Sequence, residues 1–257
     1  MNGTVYHANC LNVLPNIPPS TIDLVCTDPP FNTGATKVGT GGASYTDSML
    51  IGSYIAWLRT VMHEVKRVLA PHGSVYLHLD WHSVHYAKVM MDDVFGQNNF
   101  LNEIIWSYDY GGRSRVRWPK KHDTILLYTK DVGKHVFEWE SIDRIPYMAP
   151  GLQKDKARAA RGKVPTDVWW NTVVPTSGKA RTGYPTQKPV QIYKRMILAS
   201  SRAGSIVLDP FAGSGTTAIA SEVLGRDWIM IDENCQAIDV MKKRFASEIS
   251  NSNVTWK

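Results

Sequence analysis

Short apolar runs alternate with stretches of helical period along most of this chain, and that alternation limits the possible folds more than any other feature. Runs at 4–7, 22–26, 74–79, 103–108, 124–129, 205–208 and 228–231 read as seven strands. Helical patterns fit between them at 50–69, 83–95, 190–201, 216–224 and 235–250. In the first helix, Tyr54, Trp57, Leu58, Val61, Met62, Val65, Val68 and Leu69 form an i, i+3, i+4 stripe that stops before Pro71 and Gly73. Strands separated by helices predict an α/β fold, with a mostly parallel, Rossmann-like sheet of seven strands and helices on both faces.

Two stretches break the rhythm. Residues 34–48 (GATKVGTGGASYTDS) are rich in Gly, Ser and Thr and read as a mobile loop. Residues 131–180 lack a βαβ pattern and read as a small inserted module, because Trp169 and Trp170 need something to cover. The expected organisation is therefore 1–130, an insertion at 131–180, and 181–257 completing the first unit. A chain of 257 residues is long enough for this.

The net charge of +6 is unevenly spread. Residues 111–188 hold 16 Lys and Arg against 7 Asp and Glu, while the remainder holds 13 against 16. A basic excess confined to one segment suggests a polyanionic partner, most simply nucleic acid, although a solvated insertion would look the same. Cys10, Cys26 and Cys235 have no CxxC or zinc-type spacing, so packed, reduced thiols and no metal are expected. No apolar run approaches the roughly 18 to 20 residues of a membrane span. MNGTVYHANC lacks the basic-then-apolar layout of a signal peptide, so the expectation is a reduced, cytoplasmic protein.

LDPFAGSGTT, residues 208–217, follows one strand run and opens a helix. Gly213 and Gly215 let backbone amides approach a ligand, and the helix N-terminus behind them favours a carboxylate or phosphate. The next strand ends in Asp232 and Glu233, where an acidic side chain can hold ribose hydroxyls. Together these describe a pocket for a nucleoside-containing cofactor, without saying which.

TDPPFNTG, residues 27–34, ends an earlier strand. Asp28 can accept one hydrogen of an exocyclic amine, and a carbonyl of the Pro29–Pro30 corner can accept the other. The prolines stiffen the corner and bring no competing N–H. Phe31 offers a face for a planar base.

Through DPPF and DPFAGSG, the chain resembles the amino-methylating DNA methyltransferases that use S-adenosyl-L-methionine (AdoMet). Its motif order, with DPPF first, a central recognition segment and a late cofactor loop, is that of the permuted beta group. YPTQKP at 184–189 looks like the group's HPTQKP element, and NEIIWSY and KHDTILLYTK resemble its last two strands. The resemblance implies that Asp28, Pro29, Pro30 and Phe31 hold the target base. Asp209, Phe211, Gly213 and Gly215 would line the methionine end of AdoMet, with Thr216 and Thr217 at the helix start. Asp232 would bind the ribose, and Lys188 would pair with the cofactor carboxylate. Where the family usually reads Gly-Asp-Cys, this chain has Ala8-Asn9-Cys10, so Asn9 would meet the adenine amine of the cofactor without a charge. Tyr184 replaces the family's His.

The implied reaction is direct methyl transfer to a flipped base in a chosen DNA site. Adenine N6 is preferred over cytosine N4, because Asp-Pro-Pro accompanies adenine more often in the family. Cytosine C5 chemistry is excluded, since none of the three cysteines follows a proline. An idle DNA-binding relative and a nicotinamide oxidoreductase are the competing readings; the second leaves DPPF and YPTQKP unexplained. For DNA contacts the candidates are Arg113, Arg115, Arg117, Lys120 and Lys121, then Lys154, Lys156, Arg158, Arg161 and Lys163. A partnered restriction nuclease and a homodimer are also implied. His82 and His122 have no required role in such a reaction, and Trp169 and Trp170 are expected to be local core.

Overall fold

The computed structural model describes residues 2–38, 44–109, 111–174, 182–249 and 253–257, without the side chains of 35–38 and 44–47. In chain order the strands are β1 (Asn2–His7), β2 (Ile22–Thr27), β3 (Ala35–Val38), β4 (Ser44–Asp47), β5 (Leu69–Leu79), β6 (Phe100–Ser107), β7 (His122–Thr129), β8 (Val168–Trp170), β9 (Ile206–Asp209), β10 (Asp227–Asp232) and β11 (Asn253–Trp256). The helices are α1 (Cys10–Val13), α2 (Ile51–Val68), α3 (Val84–Phe95), α4 (Lys156–Arg161), α5 (Val190–Ser200), α6 (Thr216–Val223) and α7 (Cys235–Glu248).

Among the described residues the main sheet has nine strands, in the order β11-β1-β10-β9-β2-β5-β7-β6-β8. Every pairing is parallel except those of β7, which runs against both β5 and β6. All seven expected strands are present. Two short edge strands were missed: β8, three residues long beside β6, and β11 beside β1. Neither is long enough to show an alternating pattern of its own. Residues 34–48 also differ from expectation, because β3 and β4 pair antiparallel as a hairpin, with residues 39–43 outside the described set. Gly and Ser composition pointed to a loop there, yet Thr, Val and Tyr are good strand formers. Ser250, the expected end of the last helix, and residues 175–180 of the expected insertion also lie outside it.

Strand side chains alternate between two cores. Val25, Val75, Leu77 and Leu79 face α2 and α3, which bury Leu58, Val61, Met62, Val65, Met91 and Phe95 against them. Leu24, Cys26 and Tyr76 point the other way, onto Tyr193, Met196 and Ile197 of α5. This period of two is what a sheet covered on both faces requires. Trp169 is buried on the α5 side, whereas its neighbour Trp170 is exposed, as is Cys235. Alternation along β8 explains the first pair. Arg195 of α5, buried in the same layer, holds Asp143 in a two-pronged ion pair at 2.8 and 2.6 Å and lies over the Trp169 ring. This tie anchors the stretch between β7 and β8 to the sheet. No helix among the described residues is long and apolar enough to cross a membrane.

Candidate active site

Parallel strands place their C-terminal ends on one edge of the sheet, and side chains following β2, β9 and β10 meet there over a cleft. Asn9, Asp28, Pro30, Lys188, Asp209, Phe211, Gly213, Thr216, Thr217 and Asp232 all line it. Of the other expected site residues, Pro29 is buried behind the corner and Gly215 begins α6. Phe31 is half-buried beneath the Lys188 ammonium.

The glycine turn is fixed from several sides. Gly213 and Gly215 have φ of 51° and 75°, a region that only glycine enters freely. A Cβ on Gly215 would sit 2.7 Å from Phe245 Cε1. The Gly213 amide donates to Asp232 Oδ2 at 2.7 Å, and the Asn234 amide donates to Oδ1 at 2.9 Å. Asp232 therefore joins the turn to the end of β10. Thr217 donates to Asp209 Oδ2 at 2.5 Å, and Thr216 donates to the Lys188 carbonyl at 3.3 Å, so both hydroxyls brace the helix start from within. Arg244 of α7, buried, donates to the Ser214 carbonyl at 3.1 Å and to Thr216 Oγ1 at 3.0 Å. Sequence reasoning missed this arginine; a cation among the buried positions of α7 was its only signal. Burial, with lesser repulsion from Asp28 and Asp232, pushes the Asp209 carboxyl up to about 7 against the Thr217 and Phe211 hydrogen bonds.

Asn9 Oδ1 accepts from the Leu11 amide at 3.0 Å and caps α1, while Nδ2 donates to Glu233 Oε2 at 2.7 Å. An aspartate here would meet a second carboxylate. The Asn at this position is thus matched to Glu233, which also lines the cleft. Trp57, read from the sequence only as part of a helical stripe, lines the cleft too and packs on Phe211 at 5.4 Å between ring centroids.

At the DPPF corner, Tyr54 donates to the Pro30 carbonyl at 2.7 Å, so of the two proline carbonyls that one is already engaged. Lys188 forms an ion pair with Asp28 Oδ2. His78 Nδ1 stands 3.1 Å from Asp28 Oδ1, close enough for an ion pair but without hydrogen-bond alignment, so among the described residues Oδ1 is a buried acceptor that no donor meets in line. Burial works to raise the Asp28 pKa, but Lys188 and His78 outweigh it and hold the carboxyl below the ordinary range. Lys188, expected to meet a cofactor group, thus rests on Asp28 in the cofactor-free protein.

The basic candidates lie elsewhere on the surface. Arg113, Arg115, Arg117 and Lys120 are exposed, with Lys120 Nζ 3.0 Å over the Trp81 ring. Lys121 is half-buried and donates to the Gly111 carbonyl at 2.8 Å. Lys154, Lys156, Arg158 and Arg161 are exposed on or beside α4, whose N-cap is Asp155, and Lys163 is half-buried where its backbone bridges to Ile145. His82 bonds Asp80 at 2.7 Å and stacks on Trp81, and His122 is exposed at the start of β7. Among the described residues no three or more His, Cys, Asp or Glu side chains are placed so that they could hold a metal ion.

Solved structures with this architecture define the class. The chain superposes on a protein of Thermus thermophilus crystallised with S-adenosyl-L-methionine, at a TM-score of 0.67 and 23% identity over 99% of this chain and 97% of that one. It superposes on the cytosine-N4-specific PvuII DNA methyltransferase at 0.71 and 18%, over 98% and 89%. The fold is therefore that of the Rossmann-like methyltransferases. Sequence narrows this further: the N6/N4 DNA methylase family model matches residues 22–243, and the chain belongs to that family. Its relatives include the type II methyltransferase M.HpaI of Haemophilus parainfluenzae, 36% identical over 95% of this chain and 74% of that one. Another is the DNA adenine methyltransferase YhdJ of Escherichia coli K12, 32% identical over 94% and 82%.

Proposed function

We propose that this DNA methyltransferase of the N6/N4 class methylates the N6 amine of a flipped adenine in a specific DNA site. The observation that carries the reading is Asp28, held ionised on the same cleft as the glycine turn, with an Oδ1 that meets no hydrogen-bond geometry among the described residues. AdoMet is the cofactor, and it supplies a methyl group on positively charged sulfur.

The cleft suits that group. The turn at Gly213 is tight, since a Cβ there would press on the Tyr184 ring at 3.1 Å. Phe211 and Trp57 would face the adenine or the methionine chain, Asp209 the positive end, and Asp232 with Glu233 the ribose hydroxyls. Asn9 would meet the adenine amine. Lys188 would leave Asp28 for the cofactor carboxylate, uncovering both the Asp28 carboxylate and the Phe31 face.

The target amine is a poor nucleophile because its lone pair is delocalised into the ring. Asp28 accepting one N–H and the Pro29 carbonyl accepting the other favour a more tetrahedral nitrogen and stabilise the charge it develops. Extruding the base costs a few kcal/mol, part of which Phe31 stacking offsets. Adenine is preferred because the corner carries Asp rather than Ser, and because YhdJ, named for adenine, is 32% identical.

Residues 131–180 would form the target-recognition part, with the basic side chains of 113–121 and 154–163 tracking phosphates. A restriction nuclease encoded alongside and a homodimer belong to the same proposal. The test is nucleoside mass analysis of mixed-sequence unmethylated DNA treated with protein and AdoMet. N6-methyladenine that disappears with Asp28→Ala is expected. N4-methylcytosine alone would overturn the choice of base, and AdoMet binding without either product would favour an idle binder.

A further inference from the structure

Four adjacent strands bring a polar residue to the same edge of the sheet in one largely buried row: Asp28 after β2, His78 near the end of β5, Asp123 at the start of the antiparallel β7 and Tyr108 after β6. Strand pairing builds the row, since Thr27 sits opposite Leu77 in the parallel β2–β5 ladder, β7 flanks β5, and Trp106 sits opposite Asp123. His78 is 3% exposed, with Nδ1 at 3.1 Å from Asp28 Oδ1 and Nε2 at 3.3 Å from Asp123 Oδ2. Tyr108 donates to the other Asp123 oxygen at 3.0 Å. Phe31 and Trp106 enclose the imidazole edge-on and at a tilt, with centroids at 5.3 and 5.5 Å. Lys188 faces the row at Asp28, and two further carboxylates act on its ends, Asp209 on Asp28 and Asp80 on Tyr108.

Nothing in methyl transfer itself calls for a histidine between two carboxylates, so the row needs its own explanation. Counting charges supplies one. With Lys188 on Asp28, two carboxylates meet two cations. Once Lys188 turns to a cofactor carboxylate, Asp28, Asp123 and a protonated His78 together carry one negative charge, beside the amine that becomes positive. With a neutral imidazole, two carboxylates would share a buried site and one would take up a proton.

We propose that His78 and Asp123 are positioning residues that keep Asp28 ionised and oriented after Lys188 has left it. The proposal rests on the methyl-transfer reading above. The electrostatics agree: burial and Lys188 oppose the charging of His78, yet Asp28 and Asp123 prevail and raise its pKa above the ordinary value. Asp123 is likewise held low, because the His78 hydrogen bond and charge outweigh its burial.

The experiment is the single-turnover rate of methyl transfer to unmethylated genomic DNA at saturating AdoMet, followed from acid to alkaline pH. His78→Asn keeps a donor but cannot carry charge. It should be slower by about tenfold or more at neutral pH, one pKa unit of lost ionisation being tenfold. Its rate should then climb with pH, where the wild-type rate is flat. Asp123→Asn takes away one of the two carboxylates that hold the His78 proton, so it should show the same climb with pH and a smaller loss at neutral pH than His78→Asn. AdoMet affinity, measured by fluorescence, should stay unchanged in both variants. A loss that is the same at every pH, or a wild-type profile in both variants, overturns the proposal while leaving the methyltransferase reading intact. A wild type that transfers no methyl group overturns both. Should the variants fail to fold, the 15N shifts of His78 in the wild-type protein decide: a doubly protonated ring at neutral pH is expected, and a singly protonated one overturns the proposal.

Discussion

The cleft edge and the basic central segment both depend on charge, but they hold it in opposite ways. Around Asp28 the ions are buried and paired, each with a partner on a different element. Along 113–120 the cations are exposed and, apart from Lys120 over Trp81, none has an ion pair or ring contact among those found in the described residues. A buried charge must be answered locally, so geometry fixes it to within a fraction of an ångström. An exposed arginine keeps its rotamers, which suits a partner whose phosphates lie where the groove puts them.

That contrast predicts the largest effect at Asp28. Asp28→Asn should slow methyl transfer by about 10- to 150-fold, the equivalent of a charge-assisted hydrogen bond of roughly 1.5–3 kcal/mol. AdoMet affinity should survive. A rate within twofold of wild type would mean that Asp28 does not hold the reacting amine.

Glycine substitutions separate the same two regions by stability. Gly215→Ala places a Cβ at φ 75° against buried Phe245 and Met241, and should cost about 1–3 kcal/mol, read as a lowered melting temperature. Gly112→Ala in the basic segment meets nothing within 4 Å and should stay within about 0.5 kcal/mol of wild type. Equal effects at both positions would remove the contrast.

How much of this could be read from the sequence follows the same division. The seven strands, the glycine turn and the DPPF corner were legible, because each is a local pattern with a local backbone reason. His78 and Asp123 were not. They lie 50 and 95 positions from Asp28 in sequence order, and only the β2-β5-β7 pairing brings the three together. The available signal was a histidine interrupting the buried run VYLHL, and an aspartate opening the run DTILLY. Lys188, expected to meet the cofactor carboxylate, lines the cleft, but its contact with Asp28 could not be known without the fold. The β3–β4 hairpin escaped because Gly and Ser around it outweighed its strand formers, and β8 and β11 because three or four residues are too few to show a period.

Phosphate tracking makes a milder, graded prediction. Replacing Arg113, Arg115 and Arg117 together by Gln should weaken DNA binding and lower the slope of log affinity against log salt by about 3, near 0.9 per lost contact. The transfer rate at saturating DNA should change little. A changed rate with an unchanged slope would place these arginines nearer the chemistry than the surface.

Asp209 offers a pH test on the buried side. Its carboxyl stands at about 7, above the ordinary carboxylate range, so near neutrality it is partly protonated in the free protein. The positive charge of AdoMet favours the ionised form, so binding should release a fraction of a proton near neutral pH and none well above it. Calorimetry in two buffers of different ionisation enthalpy measures this. Proton uptake would contradict the placement of Asp209 at the positive end.

The smallest and sharpest test concerns Asn9. Resemblance to Gly-Asp-Cys suggests that Asn9→Asp should tighten AdoMet binding by restoring a charged acceptor. The structure predicts the reverse, because the amide now donating to Glu233 at 2.7 Å would be replaced by a second carboxylate. Like charges about 4 Å apart in water repel by ~1 kcal/mol, so a loss near fivefold at low salt is expected, shrinking as salt rises. Asn9→Asp combined with Glu233→Gln should recover that loss, because the amide donor is then supplied from the other side. Tightening in the single variant would show that Asn9 and Glu233 are not coupled. Additive effects would show the same, and would leave this wall of the cleft as loosely specified as the basic surface.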